Sequence, residues 1–151
     1  STFPGWLALS LETWERVVDL TADAGMILLL ENMFEATPQV QLELLAQLEP
    51  RHAGFTLDVA HAYIYGSVSI DAWWSQLGPA IREVHLHDSD GFSDDHLSSG
   101  GGALDWRRIF EDLFRTAPDA VKVIEMPVEA GLASLRHIKS AGYSDLQLEL
   151  L

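Results

Sequence analysis

The chain has 151 residues, with 23 Asp and Glu against 9 Lys and Arg and a formal charge of −14 at pH 7. Such a surface repels phosphates, which argues against nucleic acid and anionic membrane as partners while leaving cation binding open. The 48% apolar fraction supplies a core and excludes a disordered acidic tail, and the absence of cysteine excludes disulfides, thiolate zinc sites and a catalytic thiol. The longest apolar run, residues 25–30, is too short to span a bilayer and no signal peptide is recognisable ahead of it, so a cytoplasmic protein is expected.

The first helix is expected over Leu11 to Gly25, where Leu11, Trp14, Val17, Val18 and Leu20 recur at helical spacing and a glycine closes the segment. Residues 26–32 (MILLLEN) read as a strand buried on both faces. A second helix is expected over 37–50, with Thr37 as its cap and Pro38 in its first position. Residues 54–58 (GFTLD) read as a short strand, 69–82 as mainly helical and 83–88 (EVHLHD) as a strand. A helix over 104–117 that Asp105 can cap, a strand over 121–127 (VKVIEMP) and a helix over 129–142 follow; residues 144–151 carry no assignment.

The order αβαβαβαβα predicts an α/β fold with a parallel sheet and right-handed crossovers. A doubly wound open sheet and a piece of a (β/α)8 barrel compete, and nothing resembles a dinucleotide-binding GxGxxG after the first strand. The strand ends discriminate. The four strands finish at Glu31, at Asp58 with His61 three residues on, at His85, His87 and Asp88, and at Glu125. Barrel active sites sit at the carboxyl ends of the strands, where the loops converge. By alternation Ile27, Leu29 and Glu31 share a face, as do Val121, Val123 and Glu125, so each carboxylate caps an apolar column. A whole barrel takes about 250 residues; four strands in 151 predict a half barrel of four parallel strands with outer helices, one domain over residues 1–151.

The motifs LLLEN (Glu31, Asn32), LDVAH (Asp58, His61), VHLHDSDG (His85 to Gly91), DDHLSSGGGALDW (Asp94, His96, Gly100 to Trp106) and VIEMP (Glu125) stand in an order that resembles the xylose isomerase-like barrel superfamily. That superfamily includes sugar-phosphate isomerases and epimerases and zinc-dependent apurinic-site endonucleases. The resemblance covers nearly the whole chain but only the carboxyl-terminal half of the family's barrel. It implies a common metal site at Glu31, Asp58, His85 and Glu125, with His61, Asp94 and His96 at positions that add further ions in multi-zinc members. His87 has no clear counterpart as a ligand. A bound divalent ion would polarise a sugar carbonyl or hydroxyl while Glu31 and Glu125 move a proton between adjacent carbons; in nuclease members the cluster activates water against a phosphodiester. The family's first four strands are absent, which bears on activity.

The residues carry readings of their own. Mixed oxygen and imidazole donors at Asp58 and His61 suit zinc, manganese, iron or cobalt; a helix cap plus a half-buried histidine is the alternative. Carboxylates ending apolar strands need a partner, and none of the nine basic residues ends a strand near Glu31 or Glu125. His85 faces away from Val84 and Leu86, and His87 shares its parity as a supporting or substrate-contacting group. Asp94, Asp95 and His96 alone read as solvated loop. Gly100, Gly101 and Gly102 read either as a backbone cradle for a phosphate or as a turn before Asp105. His52 and His137 read as surface residues. Tyr63, Tyr65, Trp73 and Trp74 are candidates for a sugar pocket, with helix core the better use of both tryptophans.

The expectation is a metal-dependent sugar or sugar-phosphate isomerase or epimerase, with a phosphodiester hydrolase and a non-catalytic half barrel as rivals. Open sheet edges and an uncovered inner face predict self-association of half barrels.

Overall fold

The computed structural model describes residues 3–143; the unassigned tail from residue 144 lies outside them. Helix α1 (Phe3–Asp23) leads into β1 (Leu28–Glu31), α2 (Gln39–Leu45), β2 (Ala53–Asp58), α3 (Val59–Ile64) and α4 (Ile70–Leu77). After a 3-10 turn at Gly78–Ala80 come β3 (Ile81–His85), α5 (Trp106–Thr116), β4 (Val121–Val123) and α6 (Val128–Ser140). All three strand pairings are parallel, and the strands lie in chain order, β1-β2-β3-β4. That order is the wall of a barrel and not the reversed order of a doubly wound sheet.

The pleat decides what each strand shows. Phe55 and Leu57 of β2, both fully buried, point to the helices and pack with Trp73, Trp74, Val84 and Phe110. The alternate positions Glu31, Thr56, Asp58, Glu83 and His85 lie on the inner face. A bulge maintains this alignment: Phe55 pairs with Ile81 but Thr56 with Glu83, so Arg82 is the extra residue. The bulge lets buried Ile81 face the helices while Glu83 and His85 still face inward.

Several boundaries differ from expectation. α1 begins eight residues earlier, at Phe3, because Phe3 and Trp6 stack and Trp6, Leu7, Leu11 and Trp14 pack against the core. Thr37 does not cap α2: Pro38 occupies the cap position with no side-chain bond, and the helix stops at Leu45. The stretch 69–82 breaks at Gly78–Pro79, so Ile81 and Arg82 belong to β3. The strand at 121–127 ends at Val123, ahead of Pro127. α3 had no counterpart in the expected elements. Nor is β1 buried on both faces: of its residues only Leu30 is buried, and Ile27 beside it is 53% exposed. β1 is a sheet edge, pairing with β2 alone among the described strands. The column below Glu125 is likewise open at Val121, 47% exposed. Asp105 does cap α5, accepting from the Arg108 N–H. Trp73 and Trp74 are core, both fully buried.

Candidate metal centre

Asp58 is the last residue of β2 and the cap of α3 at once. Its Oδ1 accepts the His61 N–H at 2.8 Å, while Oδ2 accepts from His87 Nε2 at 2.8 Å. The helix-cap reading and the ligand reading therefore describe two oxygens of one carboxylate. Asn32 fixes the strand end: its Nδ2 donates to the Asp58 carbonyl and its Oδ1 accepts the Asp58 N–H, both at 2.9 Å. Burial alone would raise the Asp58 carboxyl, but the His87 hydrogen bond and charge outweigh it and hold the group below its ordinary range. Burial likewise disfavours charge on His87, and Asp58 more than compensates, raising it.

His85 sits between three carboxylates. Its Nδ1 is 2.8 Å from Glu125 Oε2, 3.3 Å from Glu31 Oε1 and 3.8 Å from Asp58 Oδ2. None of these contacts has hydrogen-bond geometry, and Nδ1 is buried without a partner. The opposite nitrogen, Nε2, bonds Glu83 Oε1 at 3.1 Å, and Glu83 also takes the Thr56 hydroxyl. A carboxylate only accepts, so Nε2 carries a proton, and Nδ1 is the ring nitrogen left facing the other acids, where either a proton or a cation can sit. Burial opposes charge on His85, yet Glu31, then Glu125 and Asp58, raise it to about 9.

The other histidines repeat this device. His61 Nδ1 meets the Asn32 carbonyl at 2.9 Å, which turns Nε2 toward Asp94 Oδ2 at 3.2 Å. His96 Nδ1 meets the Glu125 carbonyl at 2.6 Å, which turns Nε2 toward Asp94 Oδ1 at 3.2 Å. Anchoring one ring nitrogen on a protein acceptor is how metal-ligating histidines are held.

Ligand atoms of Glu31, Asp58, His85 and Glu125 lie within 4.8 Å of one another, as do those of Asp58, His61 and His87, and of His87, His96 and Glu125. Among the described residues no Lys or Arg pairs with any of these acids. Two like charges at 4 Å repel by about 4 kcal/mol at an effective dielectric near 20. The residues fit a divalent cation: the acids need a counter-charge, and the buried His85 Nδ1, without a hydrogen-bond partner, lies among them. The donor set is of the kind that takes zinc, manganese, iron or cobalt.

His61, Asp94 and His96 are brought together with Asp94 as the bridge, so this loop is not plain solvated surface; Asp95 is, bonding only Ser93. His87 carries more than the sequence showed. It is fully buried, belongs to two of the three clusters and stacks on His96 at 4.0 Å. Its parity with His85 was the available signal. Glu83 shares that parity and was missed. The phosphate-cradle reading of Gly100–Gly102 is overturned: their N–H groups are spent on Asp88 (Gly100, Gly102) and the Ser98 carbonyl (Gly101). His137 is not a plain surface residue, since its ring lies where a side chain on Gly100 would go.

A model of the xylose isomerase-like TIM barrel matches residues 5–142. The chain belongs to this family. Among solved members of similar fold, a D-tagatose 3-epimerase-like protein superposes with a TM-score of 0.80 at 26% identity, covering 92% of this chain and 56% of that one. A Thermus thermophilus protein from a crystal soaked with zinc chloride gives 0.71 at 28% identity, covering 93% and 55%. An uncharacterised Methanocaldococcus jannaschii protein is 29% identical over 123 residues, 77% of this chain and 42% of its own length. The chain thus spans about half the length of the relatives it matches, and corresponds to one open four-stranded portion of a xylose isomerase-like barrel. No helix among the described residues is long and apolar enough to cross a membrane.

Proposed function

We propose that residues 1–151 form one domain, the carboxyl-terminal half of a metal-dependent isomerase or epimerase acting on a sugar or sugar phosphate. The observation that carries this is His85 Nδ1, whose ring Glu83 holds from the other side and which lies without a hydrogen bond among Glu31, Asp58 and Glu125. These four residues are the main ligands; His61, Asp94 and His96 hold a second ion or orient substrate. When bound, a divalent cation would polarise a substrate carbonyl and acidify the adjacent C–H, or acidify a substrate hydroxyl. Glu31 and Glu125 come from the two edges of the sheet, and their carboxylates are 31% and 45% exposed. One takes the proton from carbon and the other returns a proton to the opposite face, with no net change in protons or electrons. The similarity to a D-tagatose 3-epimerase-like protein supports this reading.

The Asp94 bridge between His61 and His96 favours a second reading, metal-assisted hydrolysis of a phosphodiester. Metal analysis of protein purified without chelator, beside Glu125→Ala, tests the site. Aldose and ketose phosphates and an abasic-site duplex then separate the activities. Cleavage of the duplex with the sugars untouched would sink the isomerase reading. Absence of zinc, manganese, iron or cobalt even after incubation would sink both, leaving a non-catalytic half barrel. The open inner face and edges are the proposed surface for association with a second copy, with cytoplasmic localisation.

A further inference from the structure

Asp88 follows β3 and belongs to none of the three cation clusters. It is fully buried and accepts five N–H groups. The main-chain amides of Ser89 and Leu104 reach Oδ1 at 2.9 and 3.1 Å. Those of Gly100 and Gly102 and the Trp106 indole reach Oδ2 at 2.9, 3.0 and 2.7 Å. Four of these donors lie 12 to 18 residues away, so one carboxylate closes the loop from 89 to 106. The Asp88 main chain also pairs with Leu97 in both directions at 2.8 Å.

The loop so closed carries Asp94 and His96. His96 is the one non-glycine residue of positive φ among the described residues, at 49°. That conformation costs on the order of 1 kcal/mol and persists only where its surroundings impose it. Here the Asp88–Leu97 pairing holds the next residue, and the Glu125 carbonyl holds the ring. The loop's other anchors, Ser98 Oγ to the Ala130 carbonyl and the Ser99 N–H to Ser134, tie it to α6 beyond His96.

We propose that Asp88 is a positioning residue for the histidine-rich half of the centre: it holds Asp94 and His96 over the strand ends, while Glu31, Asp58 and His85 are placed by their own strands. Its consequence for cations rests on the function proposed above; the loop geometry does not.

The test is Asp88→Asn in the 151-residue chain. Asparagine keeps the volume but sets an NH2 against N–H donors. In metal-free protein, histidine ring NMR signals report the His87–His96 stack. Those of His96 shift in the variant, while those of His85 stay in place. On cobalt(II) titration followed by visible absorption, the variant's binding at the centre containing Asp94 and His96 weakens at least tenfold, the scale for outer-shell partners, and the other centre changes less than twofold. Trp106→Phe, which removes one donor of five, shifts the His96 signals the same way by less, and decides the matter if Asp88→Asn does not fold. Unmoved His96 signals, or equal weakening of both centres, would overturn the proposal. If the wild type takes up no cobalt, the proposed function falls and the ring signals alone judge Asp88.

Discussion

His85 Nδ1 and Glu125 Oε2 stand 2.8 Å apart without a hydrogen bond between them. The contact is short because Glu83 holds the ring from its other side while the chain beyond β4 brings Glu125 over it. An arrangement of this kind is complete only with a positive charge between the two groups, either a proton or a metal ion. The choice between them sets the first predictions.

Glu125→Gln removes one acid from the cluster while keeping its shape. Repulsion with Glu31 and Asp58 is relieved as attraction to protonated His85 is lost, so the metal-free melting temperature stays within about 3 °C of wild type. Affinity for zinc or manganese falls roughly 10- to 100-fold, comparable to losing a supporting partner or more. Calorimetric titration alongside thermal melts checks both numbers; a large metal-free destabilisation with unchanged affinity would contradict the site.

His85 makes metal-free stability depend on pH. Its folded-state value is raised from 6.5 to about 9, so the charged form is favoured by folding. The contribution is fully present below 6.5 and is lost as pH rises through 9. Metal-free protein therefore loses melting temperature between those limits. Metal-loaded protein, whose His85 carries no such proton, stays flat there. At pH 7.5 metal uptake releases protons, seen as a dependence of titration enthalpy on buffer.

Asp58 and Asp105 both cap helices but differ in burial. Asp58→Ala strands the His87 Nε2–H and the His61 N–H, two buried donors, and costs about 3 kcal/mol. Asp105→Ala, at an exposed cap, costs about 1 kcal/mol and leaves metal affinity alone. Urea denaturation of both variants gives the comparison, with equal losses as the contrary result.

Ile27 and Val121, apolar and exposed at the two sheet edges, predict self-association, which light scattering reads directly. Ile27→Lys and Val121→Lys place charges on the exposed apolar positions beside β1 and in β4 and shift the chain toward monomer. A wild-type monomer at all concentrations would contradict the proposed contact between copies.

The parallel fold and the four strand ends were legible because they are local properties. Strand alternation places Glu31, Asp58 and His85 at strand carboxyl ends and Glu125 just beyond one, and period two puts Glu31, Asp58 and His85 on one face of their own strands. Asp105 was legible as a cap for the same reason. The α2 start was not, because Pro38 takes the cap position and no Thr37 bond forms. The fate of Gly100–Gly102 was not either, because their donors find an acceptor 12 and 14 residues back in Asp88.

The sequence by itself determined the alternating elements, the acid and histidine at each strand end and the family they resemble. Only the tertiary structure decided that His87 joins two clusters, that Glu83 orients His85, that Asp94 bridges His61 and His96, and that Asp88 closes the loop above them. Those relationships join residues from different strands and loops. They depend on strand register, the Arg82 bulge and ring orientation, which are set when the sheet assembles and leave no periodic trace along the chain.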